Sequence, residues 1–293
     1  MSRRRRPRGI WASDLPRIRD DLIRDLHDNV AELRDAGRNA EARELAESGI
    51  AEQLATAELW WVSEPMTRLA YHAHEDLPEW TPHLARPSRS GITIWHRGTG
   101  LTTEWIHSPQ SGGTSAITGR TLGLQVPVHG VAWHTDPVTG QVCGTPLTHG
   151  PHTPPGVLAW PTSASRDDMA PDGRDHRIWD MLGATWLLAD QPTIGVRRPP
   201  RDDEAQTLGR RGRDPSPITV VALREILTHD QPGDPDPDHE TGRREMRRHI
   251  VRGHWRQQAC GPSRQWRKPT YVAPFARGRG DLIETTVVRV WRR

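Results

Sequence analysis

His176-Arg-Ile-Trp-Asp-Met-Leu-Gly-Ala-Thr-Trp-Leu-Leu-Ala-Asp190 carries apolar side chains on almost every face of one helix. Ile178, Met181, Leu182, Thr185, Trp186 and Ala189 recur at three- and four-residue steps, and Leu187 and Leu188 widen the stripe. A helix apolar nearly all round is buried, so it needs cover on more than one side. Pro192 stops it. The segments around it read as strands. Upstream are Gly91–Trp95, Leu122–Val126, Val128–Trp133, Thr139–Cys143 and Val157–Trp160; downstream are Ile218–Leu223, Arg244–Arg256, Pro269–Ala273 and Thr285–Trp291. Asp136-Pro-Val-Thr-Gly140 has the chemistry of a hairpin turn.

Further out, residues 14–57 predict two helices. Leu15, Ile18, Leu22, Ile23, Leu26, Val30 and Leu33 share one face, with Asp14 as N-cap and Pro16 in the first turn. Gly37 breaks the pattern, which resumes with Ala42, Leu45, Ala46, Ile50 and Leu54. Arg alternates with Asp and Glu on the opposite faces, as on a solvated helical hairpin. Ser63-Glu64-Pro65 starts another helix, running to about His74.

The expected class is therefore α+β: an N-terminal helical hairpin, a central antiparallel β region, a buried helix and a C-terminal antiparallel sheet. The expected organisation is a disordered basic arm over 1–13 and a helical segment over 14–76. A β-rich region with helix 176–190 follows over 87–196, then a flexible linker over 197–217 and a basic antiparallel β module over 218–293. The 26 Gly and 26 Pro in 293 residues argue against a helical bundle.

Charge is segregated along the chain. Residues 243–293 hold fourteen Arg or Lys against Glu245, Asp281 and Glu284, about +11, whereas the first 242 residues sum to about −8. Such a concentration calls for an anionic partner, nucleic acid above all. Lys268 is the single lysine, so the cations are guanidinium groups that pair bidentately with phosphate and stack on bases. Thirteen Trp against two Tyr and one Phe leave aromatic packing to indoles. Two cysteines, Cys143 and Cys260, make neither a disulfide framework nor a zinc site, and fit a reducing cytoplasm. No apolar run has the length of a membrane span, and the arginines of residues 3–8 are not followed by a signal-peptide core.

The segment richest in binding chemistry is His249-Ile-Val-Arg-Gly-His-Trp-Arg-Gln-Gln258, followed by Gly261-Pro-Ser-Arg-Gln-Trp-Arg-Lys268. Arg248, Arg252, His254, Trp255, Arg256, Arg264, Trp266, Arg267 and Lys268 are the candidate nucleic-acid contacts, with indoles to stack on bases and cations to hold phosphates. Placed at a strand end beside a basic loop, they would face a polyanion. The alternative places Trp255 and Trp266 in a core and pairs the arginines with the acidic loop 231–240. His254 is also the candidate catalytic base of a metal-independent nuclease, with neighbouring arginines on the phosphate.

No metal site is expected. Tyr71-His-Ala-His-Glu75 sets its imidazoles apart on a helix, and Asp234–Asp238 is interrupted by prolines and lacks the closing Glu of a calcium loop. No cofactor is expected either, because the glycine-rich stretches near 98–123 lack the lysine and the strand–turn–helix setting of phosphate loops.

Val251–Gln258, Gly261-Pro262, Tyr271–Phe275 and Gly278, together with Leu182–Pro192, Val220–Arg224 and Ser90-Gly91-Ile92, resemble a family of proteins without assigned activity. They are carried by actinobacteria, their phages and integrated elements. The resemblance covers residues 87–293 and is most specific over 249–278. It departs at Ala276–Gly280, where a Lys-Gly-Pro stretch is expected. It implies a mobile-element setting and a shared C-terminal sheet, and transfers no catalytic residue. Three functions follow: nucleic-acid binding, with RNA or a single strand preferred; docking or regulation of a protein partner with an acidic surface; and a nuclease or toxin-type enzyme using His254. Oligomeric state is open.

Overall fold

The computed structural model describes residues 9–106, 123–148, 164–165, 174–210, 212, 214, 217–224 and 249–277. The chain forms two compact units, Met1–Arg224 and Glu225–Arg293.

In the first unit, α1 (Leu15–Asp35), α2 (Asn39–Glu47) and α3 (Ile50–Ala55) precede β1 (Glu58–Val62) and α4 (Glu64–Ala73). Next come α5 (Pro82–Ala85), β2 (Gly91–Trp95), β3 (Thr102–Ile106), β4 (Gly123–Thr135), β5 (Val142–Thr148) and β6 (Ala164–Ser165). Helix α6 (Arg174–Ala189), β7 (Gly195–Arg198), α7 (Asp202–Arg210) and β8 (Ile218–Leu223) complete the unit. The strands form one eight-stranded sheet in the order β6-β5-β4-β2-β1-β8-β7, with β3 also paired to β4. The class is α+β.

The meander expected after residue 87 is present: β2–β4, β3–β4, β4–β5 and β5–β6 are all antiparallel. Asp136 makes its turn by accepting the backbone N–H groups of Val138 and Thr139, both at 2.8 Å. The centre of the sheet is different. β1 runs parallel to β2 and to β8, with Leu59 opposite Ile92 on one side and Ile218 on the other.

Strand β1 lies inside the stretch expected to be helical. Leu59, Trp60 and Val62 are buried, on both faces, so the alternation that marks a half-solvated strand is missing. β8 was expected in the C-terminal module but is hydrogen-bonded between β1 and β7 in this sheet. Its apolar run fits a centre covered on both sides. Residues 197–217, expected as a flexible linker, contain the end of β7 and helix α7. Leu208 of α7 is fully buried and anchors that charged helix to the core.

Both faces of the sheet carry helices. Leu59, Ile92, Ile94, Ala132, Leu147, Ile218 and Val220 pack with Leu15, Ile18 and Leu22 of α1, Leu54 of α3 and Leu208 of α7. The N-terminal apolar stripe thus meets the sheet as well as its own hairpin. The second expected helix is split into α2 and α3 at Gly49, whose φ of 69° lies in the left-handed region that glycine occupies without steric cost. On the other face, the indoles of Trp133 and Trp186 meet edge-on at 5.0 Å. Trp95 Nε1 donates to Thr185 Oγ1 (3.2 Å) and Trp80 Nε1 to Asp180 Oδ1 (2.8 Å). Every residue from Met181 to Ala189 is buried, as the apolar circumference of that helix requires.

The second unit contains β9 (His249–Val251), β10 (His254–Cys260), β11 (Trp266–Val272) and β12 (Phe275–Arg277), joined as the antiparallel pairs β10–β11 and β9–β12. The expected strand 244–256 is therefore interrupted at Arg252-Gly253. A Cβ on Gly253 would come 2.2 Å from Tyr271 Oη, so that ring's seat requires glycine. The expected basic loop 261–268 narrows to a turn, because residues 266–268 join β11. Arg248, the acidic loop 231–240, residues 1–8 of the expected arm 1–13 and the expected strands 157–160 and 285–291 lie outside the described residues. The rest of that arm is ordered: Ile10 and Ala12 are buried, and Ile10 N–H donates to the His96 carbonyl.

Candidate functional site

The hairpin β10–β11 gathers most of the candidate contacts. Its register places His254 opposite Val272, Arg256 opposite Thr270, Gln258 opposite Lys268 and Cys260 opposite Trp266. Directly paired residues share a face, and alternate residues change face. One face therefore bears His254, Arg256, Gln258, Trp266, Lys268 and Thr270. The other bears Trp255, Gln257, Ala259, Arg267, Pro269 and Tyr271.

Burial separates the two faces. Tyr271 and Pro269 are buried, and the half-buried Trp255 meets Tyr271 edge-on at 5.2 Å. His254, Arg256, Gln258 and Lys268 are exposed, and the Trp266 indole is 64% exposed. The two tryptophans thus part company: Trp255 packs within the unit, while Trp266 presents its ring to solvent. Arg267 is exposed although it lies on the Trp255 side, and Arg252 is exposed between β9 and β10.

The turn between the strands is unusual. Gly261 has a φ of 75°, and Ser263 and Arg264 follow with φ of 51° and 57°. Two consecutive side-chain-bearing residues in the left-handed region are uncommon and mark a locally constrained backbone. Arg264 is exposed there.

Electrostatically the second unit's described stretch is one-signed. Residues 249–277 include Arg252, Arg256, Arg264, Arg267, Lys268 and Arg277, and no Asp or Glu. With Trp266 at one end and Arg256 and Lys268 on adjacent strands of one face, the surface offers a stacking ring, point charges for phosphate, and the Gln258 amide and Thr270 hydroxyl for polar edges. Gln258 and Thr270 were absent from the candidates read in the sequence. Alternation through the full hairpin would have found them, had Gly261-Pro262 been taken as its turn.

His254 lies on the same face. Its Nδ1 is 3.1 Å from the Arg252 carbonyl, which fixes the ring as an Nδ1–H donor to backbone. Among the described residues no group of three or more His, Cys, Asp or Glu could hold a metal ion, and no helix is long and apolar enough to cross a membrane.

A family model described as AcrVA2-like, Anti-CRISPR type V subtype A2 family, matches residues 184–276, about a third of the chain. The match starts within α6, includes β7, α7 and β8, and ends in β12, so it contains the whole basic hairpin. No curated protein and no solved structure matches the chain. The matched stretch also holds most of the residues whose resemblance pointed to phages and integrated elements.

Proposed function

We propose that this chain serves a phage or another mobile element by interfering with a CRISPR system of its host, and that it does so by binding nucleic acid through the exposed face of β10–β11. The family match over 184–276 supports the setting. The observation that carries the contact surface is the acid-free hairpin with Arg256, Lys268 and an exposed Trp266 on one face. In this reading Arg256 and Lys268 hold phosphates, Arg252 and Arg264 add charge at the two ends of β10, and Trp266 stacks on an unpaired base. The partner is a nucleic acid of the CRISPR pathway, with RNA or a single strand favoured over duplex by the solvent-facing indole.

Two measurements test this. In cells whose type V CRISPR system targets an incoming phage, the wild-type chain should restore plating, and Arg256→Glu with Lys268→Glu should abolish most of that rescue. On gels, the wild-type protein should retard labelled single strands, and should do so less as salt rises. Unimpaired CRISPR interference in the presence of the wild-type protein would sink the setting; no retardation of any nucleic acid at low salt would sink the contact.

A second reading has a specific observation behind it. An exposed Trp beside arginines is also the composition of protein–protein hot spots, so an acidic protein of the CRISPR machinery could seat on the same face. Rescue that persists without any nucleic-acid binding, but is lost in the double variant, would favour it. The same gels report cleavage: product formed by the wild type and lost in His254→Ala would give this face a nuclease activity.

A further inference from the structure

The two strand pairs of the second unit share one register. In β10–β11, His254 lies opposite Val272 and Cys260 opposite Trp266; in β9–β12, Val251 lies opposite Phe275. Three residues separate Val251 from His254 and three separate Val272 from Phe275, so neither strand gains or loses a residue at the interruption. Residues 249–260 and 266–277 therefore run as one two-stranded ribbon, about 40 Å long. Gly253 shows that the faces stay in step through the interruption. A Cβ there would point at Tyr271 Oη, on the inward face. Its neighbour Arg252 belongs to the opposite face, with His254, Arg256, Gln258, Lys268 and Trp266, and all six are exposed.

The row ends in a seated ring. A Cβ on Gly261 would come 2.5 Å from the Trp266 indole, so the ring rests on bare glycine backbone at the turn while remaining 64% exposed. No Asp or Glu lies anywhere in 249–277 to offset Arg252, Arg256 and Lys268.

The spacing of this row indicates what it meets. Side chains on one face of a strand repeat about every 7 Å. The phosphates of an extended single strand are six backbone bonds apart and repeat at a similar interval. Arg256 is two such steps from Arg252; Lys268, opposite Gln258, is the third, and Trp266, opposite Cys260, is the fourth. Arg252 to Trp266 is thus ~27 Å along the ribbon. A duplex keeps its bases stacked on one another and leaves the indole without a partner.

Building on the nucleic-acid reading of this face, we infer that the ribbon is a track for about five extended nucleotides of a single strand. Arg252, Arg256 and Lys268 hold phosphates in a row, and Trp266 stacks on a base at the turn end. His254 and Gln258 lie between the cations and face sugars and base edges.

The test titrates the full-length protein with labelled oligouridylates and oligodeoxythymidylates from two to ten nucleotides long, and with a ten-base-pair DNA duplex, at several salt concentrations. Affinity should rise steeply up to about five nucleotides and only slowly beyond, as extra length adds placements but no contacts. On the hexamer, Arg252→Gln should lower the salt slope by about 0.7, one phosphate contact on a single strand, and Arg252→Lys should restore it. Trp266→Ala should weaken the hexamer about tenfold with the slope unchanged, and Trp266→Phe should recover most of that loss. Comparing the two series identifies which single strand binds. Affinity that rises evenly with length, while Arg256→Glu with Lys268→Glu still weakens it, would overturn the track and leave the hairpin reading standing. So would a salt slope that Arg252→Gln leaves unchanged, or a duplex that binds as tightly as the single strand of the same length. No binding of any oligonucleotide by the wild-type protein would remove both.

Discussion

His74 and His134 are buried imidazoles, whereas no Asp, Glu, Arg or Lys among the described residues is buried. Burial holds the pKa of both below the ordinary histidine value; the Tyr71 carbonyl opposes this at His74, and Asp136 opposes it at His134. His74 Nδ1 donates to that carbonyl, and its Nε2 has no hydrogen-bond partner among the described residues, so a proton there would be uncompensated. Below about pH 6.5 the unfolded chain binds more protons at these sites than the folded one. Their contribution to stability is therefore complete above that pH and is lost as pH falls. The urea midpoint should be lower at pH 5.5 than at pH 7.5, and a midpoint that is flat or rises on acidification would contradict the assignment. The Asp136–Gly140 turn was legible at this scale, because an Asx carboxylate and a glycine act through their own backbone. Which histidines are buried was not legible, because that depends on strands distant in sequence.

Single elements show where periodicity suffices. Helix α1 was readable because one face repeats at helical spacing, and Leu22 on that face is 2% exposed in the core. Leu22→Ala should cost about 2–5 kcal/mol, as deletion of a packed aliphatic group does, and chemical denaturation measures it. The exposed ion pairs Arg17–Asp21 and Arg43–Glu47 on the same helical hairpin should matter little, about 0–1 kcal/mol each. Strand β1 was not readable. Leu59-Trp60-Trp61-Val62 has no alternation, since helices cover both of its faces, and it follows helical sequence with little punctuation. The opposite reason hid the full length of β10 and β11. Gln257, Gln258, Arg267 and Lys268 carry no apolar signal, and only their mutual hydrogen bonding makes them strands.

The first unit, taken as a molecule, has its own sheet, closed by β7 and β8, and its own core. A protein ending at Arg224 should therefore fold. Its near-ultraviolet circular dichroism, dominated by Trp60, Trp95, Trp133 and Trp186, should melt in one cooperative step; a gradual loss would show that residues 225–293 are needed. The basic excess of residues 243–293 would be absent from that protein, and hairpin-dependent binding with it.

The sequence by itself determined the α+β class, the amphipathic N-terminal helices, the enclosed helix before Pro192, the meander after residue 87 and the basic C-terminal segment. Each of these is written in local spacing or local charge. Tertiary structure alone decided that β1 and β8 form a parallel centre and that α7 belongs to the core. It also decided that Trp255 packs while Trp266 faces solvent. The reason is that strand partners and ring exposure are set by residues tens of positions away. A tryptophan reads the same in sequence whether it fills a core or waits at a surface, and only the packed neighbours of Trp255 and Trp266 distinguish the two.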